Sequence, residues 1–175
     1  MVRAASTLGK AGLMPLEEAI SALTNIMNQM GLDANQASSV INVLAAGSKN
    51  GAGNIQYLSE AFTKAGTTMK MAGISIEEGP AAIEVLSKKI PDSAVAGTRL
   101  NKVLLALETQ SDKNLKPSLV GLHEALKNLG KISGDTTAMT KMFGTANYTA
   151  AKILADEAEQ IGVLTNKVTD TNEAE

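Results

Sequence analysis

The 175-residue chain contains no cysteine, which removes disulfides, thiolate metal sites and cysteine nucleophiles and leaves the chain indifferent to redox compartment. Aromatic residues make up 2% of it, namely Tyr57, Phe62, Phe143 and Tyr148. Large rings usually supply much of the burial in mixed domains, so this core is expected to consist of Ala, Leu, Ile and Met on closely packed helices. Histidine occurs once, as His123. No His-Glu-x-x-His zinc motif exists, and a Ser-His-Asp arrangement would depend on that one residue. Flanked by Leu122 and Glu124 and off the leucine stripe of its helix, it reads as a surface side chain. No catalytic, cofactor-binding or metal-binding residue is expected, and no cofactor.

Charge of one sign is also missing. Sixteen Lys and Arg stand against eighteen Asp and Glu, a net charge of -2, with no sustained run of either. Phosphate neutralisation needs a basic face, so specific nucleic-acid binding is not expected. Lys88, Lys89, Arg99 and Lys102 read as a solvated face. The longest uncharged runs, Ala19 to Leu32 and Ala34 to Ser48, are too short and too rich in Asn, Gln and Ser to span a bilayer. Met1-Val2-Arg3-Ala4-Ala5-Ser6 has a cation without an apolar run behind it, so no secretory signal is expected there and the piece is expected to be soluble.

What is present is helical periodicity almost throughout, with no sustained alternation of period two. The chain is read as all-α, with several short to medium amphipathic helices in an antiparallel bundle or elongated helical array, and a long C-terminal helix. At this length it can bury roughly 70% of its unfolded surface without staples. Leu16, Ile20, Leu23, Met27 and Met30 form a first stripe, entered through Pro15, favoured by Glu17 and Glu18 at the positive helix end and closed by Gly31. Asp33 with Gln36 caps a short helix carrying Val40, Ile41 and Leu44, and Gly47 to Gly53 reads as a loop. Asn54 caps a helix with Ile55, Leu58, Phe62, Ala65 and Met69 inward, running to Gly73 with a weak point at Gly66.

Ser75 and Glu78 are spaced for a capping box after Gly73, which is free to take φ > 0. The helix that follows carries Ile83, Leu86 and Ile90 and stops before Pro91. Another starts near Asp92 or Ser93 and carries Ala96, Leu100, Val103, Leu104 and Leu107. In Ala96-Gly97-Thr98-Arg99-Leu100 the small residues let another backbone approach closely. Gln110 to Lys116 is a polar linker. Pro117 opens a helix with Leu119, Leu122, Leu126 and Leu129 inward, ended by Gly130, and a short helical turn from Asp135 to Phe143 closes at Gly144. Thr145 to Thr169 places Ala150, Ile153, Leu154, Ala158, Ile161, Leu164 and Val168 on one stripe, the longest helix expected, before a tail, Thr169 to Glu175, expected to fray. The division is residues 1–109 as a helical core, 110–116 as linker and 117–175 as a C-terminal helical segment packed on the first. Helical units recur at roughly twenty-residue intervals without a self-similar repeat.

Candidate chemistry is sparse. Gly47-Ser48-Lys49-Asn50-Gly51-Ala52-Gly53 has glycines and a cation, yet lacks the Gly-Lys-Ser/Thr order and a preceding strand, so it reads as a helix connector. Glu17-Glu18 and Glu77-Glu78 are adjacent, but neighbours on a helix point about 100° apart and do not converge without a partner from another helix. Asn147-Tyr148-Thr149 fits the glycosylation pattern only formally.

The order Gly73-Ile74-Ser75, an acidic helix start at Glu77-Glu78, Ala96-Gly97-Thr98-x-Leu100 and a leucine-rich helix resembles the core region of phage tail tape measure proteins. Ala4-Ala5-Ser6 to Gly12, Leu16-Glu17-Glu18-Ala19 and Tyr57-Leu58-Ser59-Glu60-Ala61-Phe62 extend the likeness upstream. Met142-Phe143-Gly144 with Ala150, Ala151 and Leu154 extends it downstream, so it covers most of the chain. Gly79-Pro80 and Lys88-Lys89-Ile90-Pro91-Asp92 depart from the family pattern. The resemblance implies a scaffold fragment in the virion tail, assembled in the bacterial host cytoplasm, self-associating and contacting the tail tube protein and tail assembly chaperones. The motif residues it singles out are Gly73, Ser75, Glu78, Ala96, Gly97, Thr98, Leu100, Phe143 and Gly144. The alternative is a helical protein-interaction module, an adaptor without catalytic activity.

Overall fold

Eleven α-helices and no strand form among residues 2–170, the residues that the computed structural model describes. The expected fraying tail lies outside the described residues from position 171 onward. In chain order the helices are α1 (Val2–Gly12), α2 (Leu16–Met30), α3 (Ala37–Asn50), α4 (Ile55–Met71), α5 (Glu78–Ser87), α6 (Ser93–Glu108), α7 (Pro117–Val120), α8 (Leu122–Ile132), α9 (Thr136–Phe143), α10 (Thr145–Asp156) and α11 (Ala158–Asp170). Local side-chain chemistry sets many of their starts. Asn54, Asp92 and Asp135 each accept a hydrogen bond from the backbone N–H three residues on, at 2.8, 2.8 and 3.0 Å, which satisfies one of the donors a helix start leaves free.

Several expectations are corrected by the packing. Val2–Gly12 forms a helix, α1, ahead of the first stripe that the sequence suggests. Leu16 and Ile20 are exposed, and α2 turns Ala19, Leu23, Ile26, Met27 and Met30 inward instead, because α1 and α4 lie against that side. Gly47 is buried inside α3, so the loop shrinks to Gly51–Gly53. Pro117 opens only the single turn α7. Gly121, at φ 85° and ψ 156°, then breaks the chain, leaving Leu119 exposed, and α8 runs past Gly130 to Ile132. The C-terminal stripe is helical on both sides of Glu157 (φ -101°, ψ 16°), where it divides into α10 and α11; the longest single helix is the 17-residue α4.

Two layers result. Along the α2–α4 contact, Gln29 Nε2 donates to the Thr63 carbonyl at 2.8 Å, and further along Lys70 Nζ donates to the Met30 carbonyl. Along α4–α6, Ser93 donates to Glu60, Gly97 faces Ala61, and Asn101 bonds the Lys64 carbonyl at 3.1 Å and the Thr68 hydroxyl at 2.7 Å. Partners ascend together in both pairs, so α2, α4 and α6 run in the same direction. The chain between α4 and α6 returns through α5: Gly79 at its start faces Phe62 and Met69, while Ile90 beyond its end receives the Tyr57 hydroxyl. The second layer sets α3 beside α1 and α5, with α11 packed on α3 and α5; α10 sits against α6 and α8. One apolar cluster runs from Ala5 to Leu164, and most large side chains in it, including Phe62, Leu58, Leu100 and Leu104, are fully buried. Each such side chain contributes about 1.5–3 kcal/mol relative to exposure.

Candidate functional site

The motif residues occupy three different joints of the array. At the first, α4 closes with the Ile74 N–H on the Met69 carbonyl at 2.9 Å and Gly73 at φ 69°, the left-handed turn that glycine favours. The chain restarts at once. The Ser75 N–H donates to Glu78 Oε2 at 2.9 Å and the Glu78 N–H donates to Ser75 Oγ at 3.1 Å, a reciprocal cap. Gly79 and Pro80 lie buried in the first turn of α5, where proline's missing N–H costs nothing.

At the second joint Ala96, Gly97 and Leu100 are buried and Thr98 is exposed. A Cβ added to Gly97 would stand 2.3 Å from the Ala61 carbonyl oxygen, so α6 meets α4 main chain to main chain. At the third, Phe143 ends α9 in the core, and Gly144, at φ 72° and ψ 162°, redirects the chain into α10.

A fourth feature escaped sequence reasoning. Glu84 is fully buried in α5, between Ile83 and Val85. Its Oε2 accepts the Gly53 N–H at 2.9 Å, and the Ala52 N–H and Ser87 hydroxyl also face the carboxylate. Gly51 approaches so closely that a Cβ there would fall 1.7 Å from Oε2. Burial pushes the carboxyl above its ordinary range, against the pull of those donors and of Lys88. The glycine loop that resembles a phosphate cradle therefore closes on a carboxyl group from its own chain. Nearby, Tyr57 is held up to about 12, first by burial and then by the charges of Asp92 and Glu84.

Two polar surfaces complete the inventory. A groove of about 580 Å³ between α2 and α4 brings Glu60 near Glu17 and Glu18, the cross-helix carboxylate that neighbouring residues alone do not supply. Glu60 is already engaged by Ser93 and Gln56. His123 of α8 is half exposed, with Nε2 3.4 Å from Glu159 of α11, whose other oxygen lies 3.5 Å from Lys127. Among the described residues no group of three or more His, Asp or Glu is placed to hold a metal, and no helix is long and apolar enough to cross a membrane.

The fold defines an all-α helical array in which many of the polar side chains serve helix ends and helix seams. Over residues 1–174 the chain matches the family described as phage-related minor tail protein, and it belongs to that family. Its role is thus that of a structural component of a phage tail. No curated protein and no solved structure matches the chain.

Proposed function

We propose that the chain is a segment of a tape measure protein, the scaffold around which tail tube subunits polymerise and which sets their final number. The observation that carries this reading is the order Gly73-Ile74-Ser75, Ala96-Gly97-Thr98-Arg99-Leu100 and Phe143-Gly144 in a chain of the minor tail family, each group at a joint between helices. On this reading the chain assembles in the host cytoplasm, meets the tube protein and assembly chaperones, and associates with its own kind. Residues 1–109 and 117–175 act as two units joined through 110–116. The apolar stripes that meet inside the array pair between chains in the assembled tail, and each residue of extended helix then adds ~1.5 Å of length.

Insertion of whole heptads, in frame, between Thr145 and Thr169 of the parent protein tests the ruler by electron microscopy of tails. A length increase near 1.5 Å per added residue is expected. Viable tails of unchanged length would overturn it in favour of a folded interaction module. That second reading is favoured by one feature, the exposed apolar side chains Val2, Leu13, Leu16 and Ile20 on α1, α2 and the turn between them.

A further inference from the structure

We propose that the Gly51–Gly53 connector between α3 and α4 is a proton-operated lid over the Glu84 carboxyl, shut while Glu84 carries its proton and loosened when it ionises. The lid is a single layer of backbone. Glu84 in α5 is fully buried, whereas Gly51 and Ala52, which lie over it, are exposed. Both glycines press onto the carboxyl: a Cβ would stand 1.7 Å from Oε2 at Gly51 and 3.3 Å from Oε1 at Gly53. Only residues without side chains can lie down so closely.

The flanks of the lid are closed in themselves. Asn50 Nδ2, at the end of α3, donates to the Ala46 carbonyl at 2.8 Å, and Asn54 Oδ1, at the start of α4, accepts the Tyr57 N–H at 2.8 Å. The Ala52 and Gly53 N–H groups, by contrast, turn to Glu84. The connector can therefore lift without unravelling either helix, and what holds it down is the carboxyl.

That hold is uneven. The Gly53 N–H reaches Oε2 at 2.9 Å and the Ser87 hydroxyl lies 3.5 Å from the same oxygen, but Oε1 is buried and accepts no hydrogen bond among the described residues. A neutral carboxyl tolerates a bare oxygen far better than a charged one does. Lys88 of α5 acts on the carboxyl as a cation, yet it is shared with Glu157 at the α10–α11 junction, 3.9 Å away. Tyr57 of α4 faces it as a neutral phenol, itself under the charge of Asp92, and Lys49 at the end of α3 is exposed. Burial outweighs the donors and Lys88, so the shut lid favours the protonated form. Lifting the lid lets water reach both oxygens. A state that holds the proton more tightly is the one that ionisation disfavours, so the loss of the proton promotes opening.

Amide exchange followed by NMR on the full chain tests this, over roughly pH 4 to 8 and corrected for the intrinsic chemical rate. Protection of the Gly53 N–H is expected to fall by up to about ten-fold per pH unit above the ordinary carboxyl value of 4.5, then to level off once the shut form is ionised too. Low urea is expected to leave Gly53 exchange unchanged while speeding that of Ile83 within α5, because lifting three residues exposes little surface. Glu84→Gln is expected to keep its acid-side protection across the whole range. Lys88→Gln, at a half-exposed site, is expected to move the levelling-off to higher pH, since without the cation the shut form holds its proton more tightly. Protection at Gly53 that ignores pH, a Glu84→Gln variant that titrates as the wild type does, or a levelling-off that moves down in Lys88→Gln overturns the proposal. So does Gly53 exchange as sensitive to urea as that of Ile83, which would mean that the connector opens only with the whole fold. None of these outcomes bears on tail length, so the two proposals fail separately.

Discussion

Gly97 of α6 stands against the main chain of Ala61 on α4, so close that a Cβ on it would lie 2.3 Å from the Ala61 carbonyl oxygen and 2.7 Å from its Cα. Backbone cannot swing aside as a side-chain tip can. The Ser93–Glu60 and Asn101–Lys64 bonds on either side fix the register, so a shift of α6 strains them as well. Alanine gains ~1 kcal/mol over glycine as a helix former, and overpacking costs about 1–3 kcal/mol or more. Gly97→Ala is expected to lower stability by about 2 kcal/mol net in urea unfolding. A more stable variant would mean that propensity wins and the α4–α6 seam is loose.

Glu84 makes stability depend on pH in a direction opposite to that of most carboxylates. Its folded-state affinity for a proton is raised by burial. The stabilising contribution is therefore fully present below the unfolded pKa and is lost as pH rises through the higher folded one. Relative to the unfolded chain the group favours folding more at pH 4.5, its ordinary value, than at neutral pH. Glu84→Gln keeps an acceptor for the Gly53 N–H without the charge. It is expected to flatten the decline of the denaturation midpoint between acidic and neutral pH and to match or exceed the wild type at neutral pH. Glu84→Ala leaves the loop N–H groups without an acceptor and is expected to cost about 1–3 kcal/mol.

Cap chemistry was legible in the sequence because it is local: Asn54, Ser75, Asp92 and Asp135 each bond within three residues, and helices start directly after Asn54, Asp92 and Asp135, while the Ser75–Glu78 box closes a turn and α5 begins two residues later than it predicts, at Glu78. The direction of a stripe is less local. Leu16 and Ile20 have the right spacing for a core, yet the neighbours decide which side of α2 is covered, and they cover Ala19 and Ile26. The break at Gly121 hides inside a leucine period that continues across it from Leu119 to Leu122. The division at Glu157 carries no glycine or proline to announce it. Glu84 did leave a signal, as the only charged residue between Gly79 and Leu86, a stretch buried on every side. Its partner loop lies 31 residues away, a pairing that only the fold supplies.

Gly144 is expected to be costlier to replace than Gly73, although neither site is crowded. Nothing lies within 4 Å of a Cβ at Gly144, and the nearest atom at Gly73 is Ser118 Cα at 3.8 Å. The difference is in the backbone. Gly73 occupies the left-handed turn of a helix end, which asparagine also tolerates, whereas φ 72° with ψ 162° at Gly144 is a region essentially limited to glycine. Asparagine at 73 is expected to cost well under ~1 kcal/mol, and asparagine or alanine at 144 about 2 kcal/mol. In thermal unfolding the latter lowers Tm by about 4–8 °C. Equal losses at both sites would count against this distinction.

Leu13→Gly is expected to stabilise the fold. The left-handed conformation costs a bulky residue roughly 1–2 kcal/mol, and an exposed leucine has little packing in the monomer to set against that. Glycine relieves the strain but adds freedom to the unfolded chain, worth about 0.4–1 kcal/mol. The net expectation is a monomer more stable by about 0.5–1 kcal/mol, read from the urea midpoint. Destabilisation would instead mean that Leu13 is covered in solution by this chain itself, so that its lost packing outweighs the relief of backbone strain.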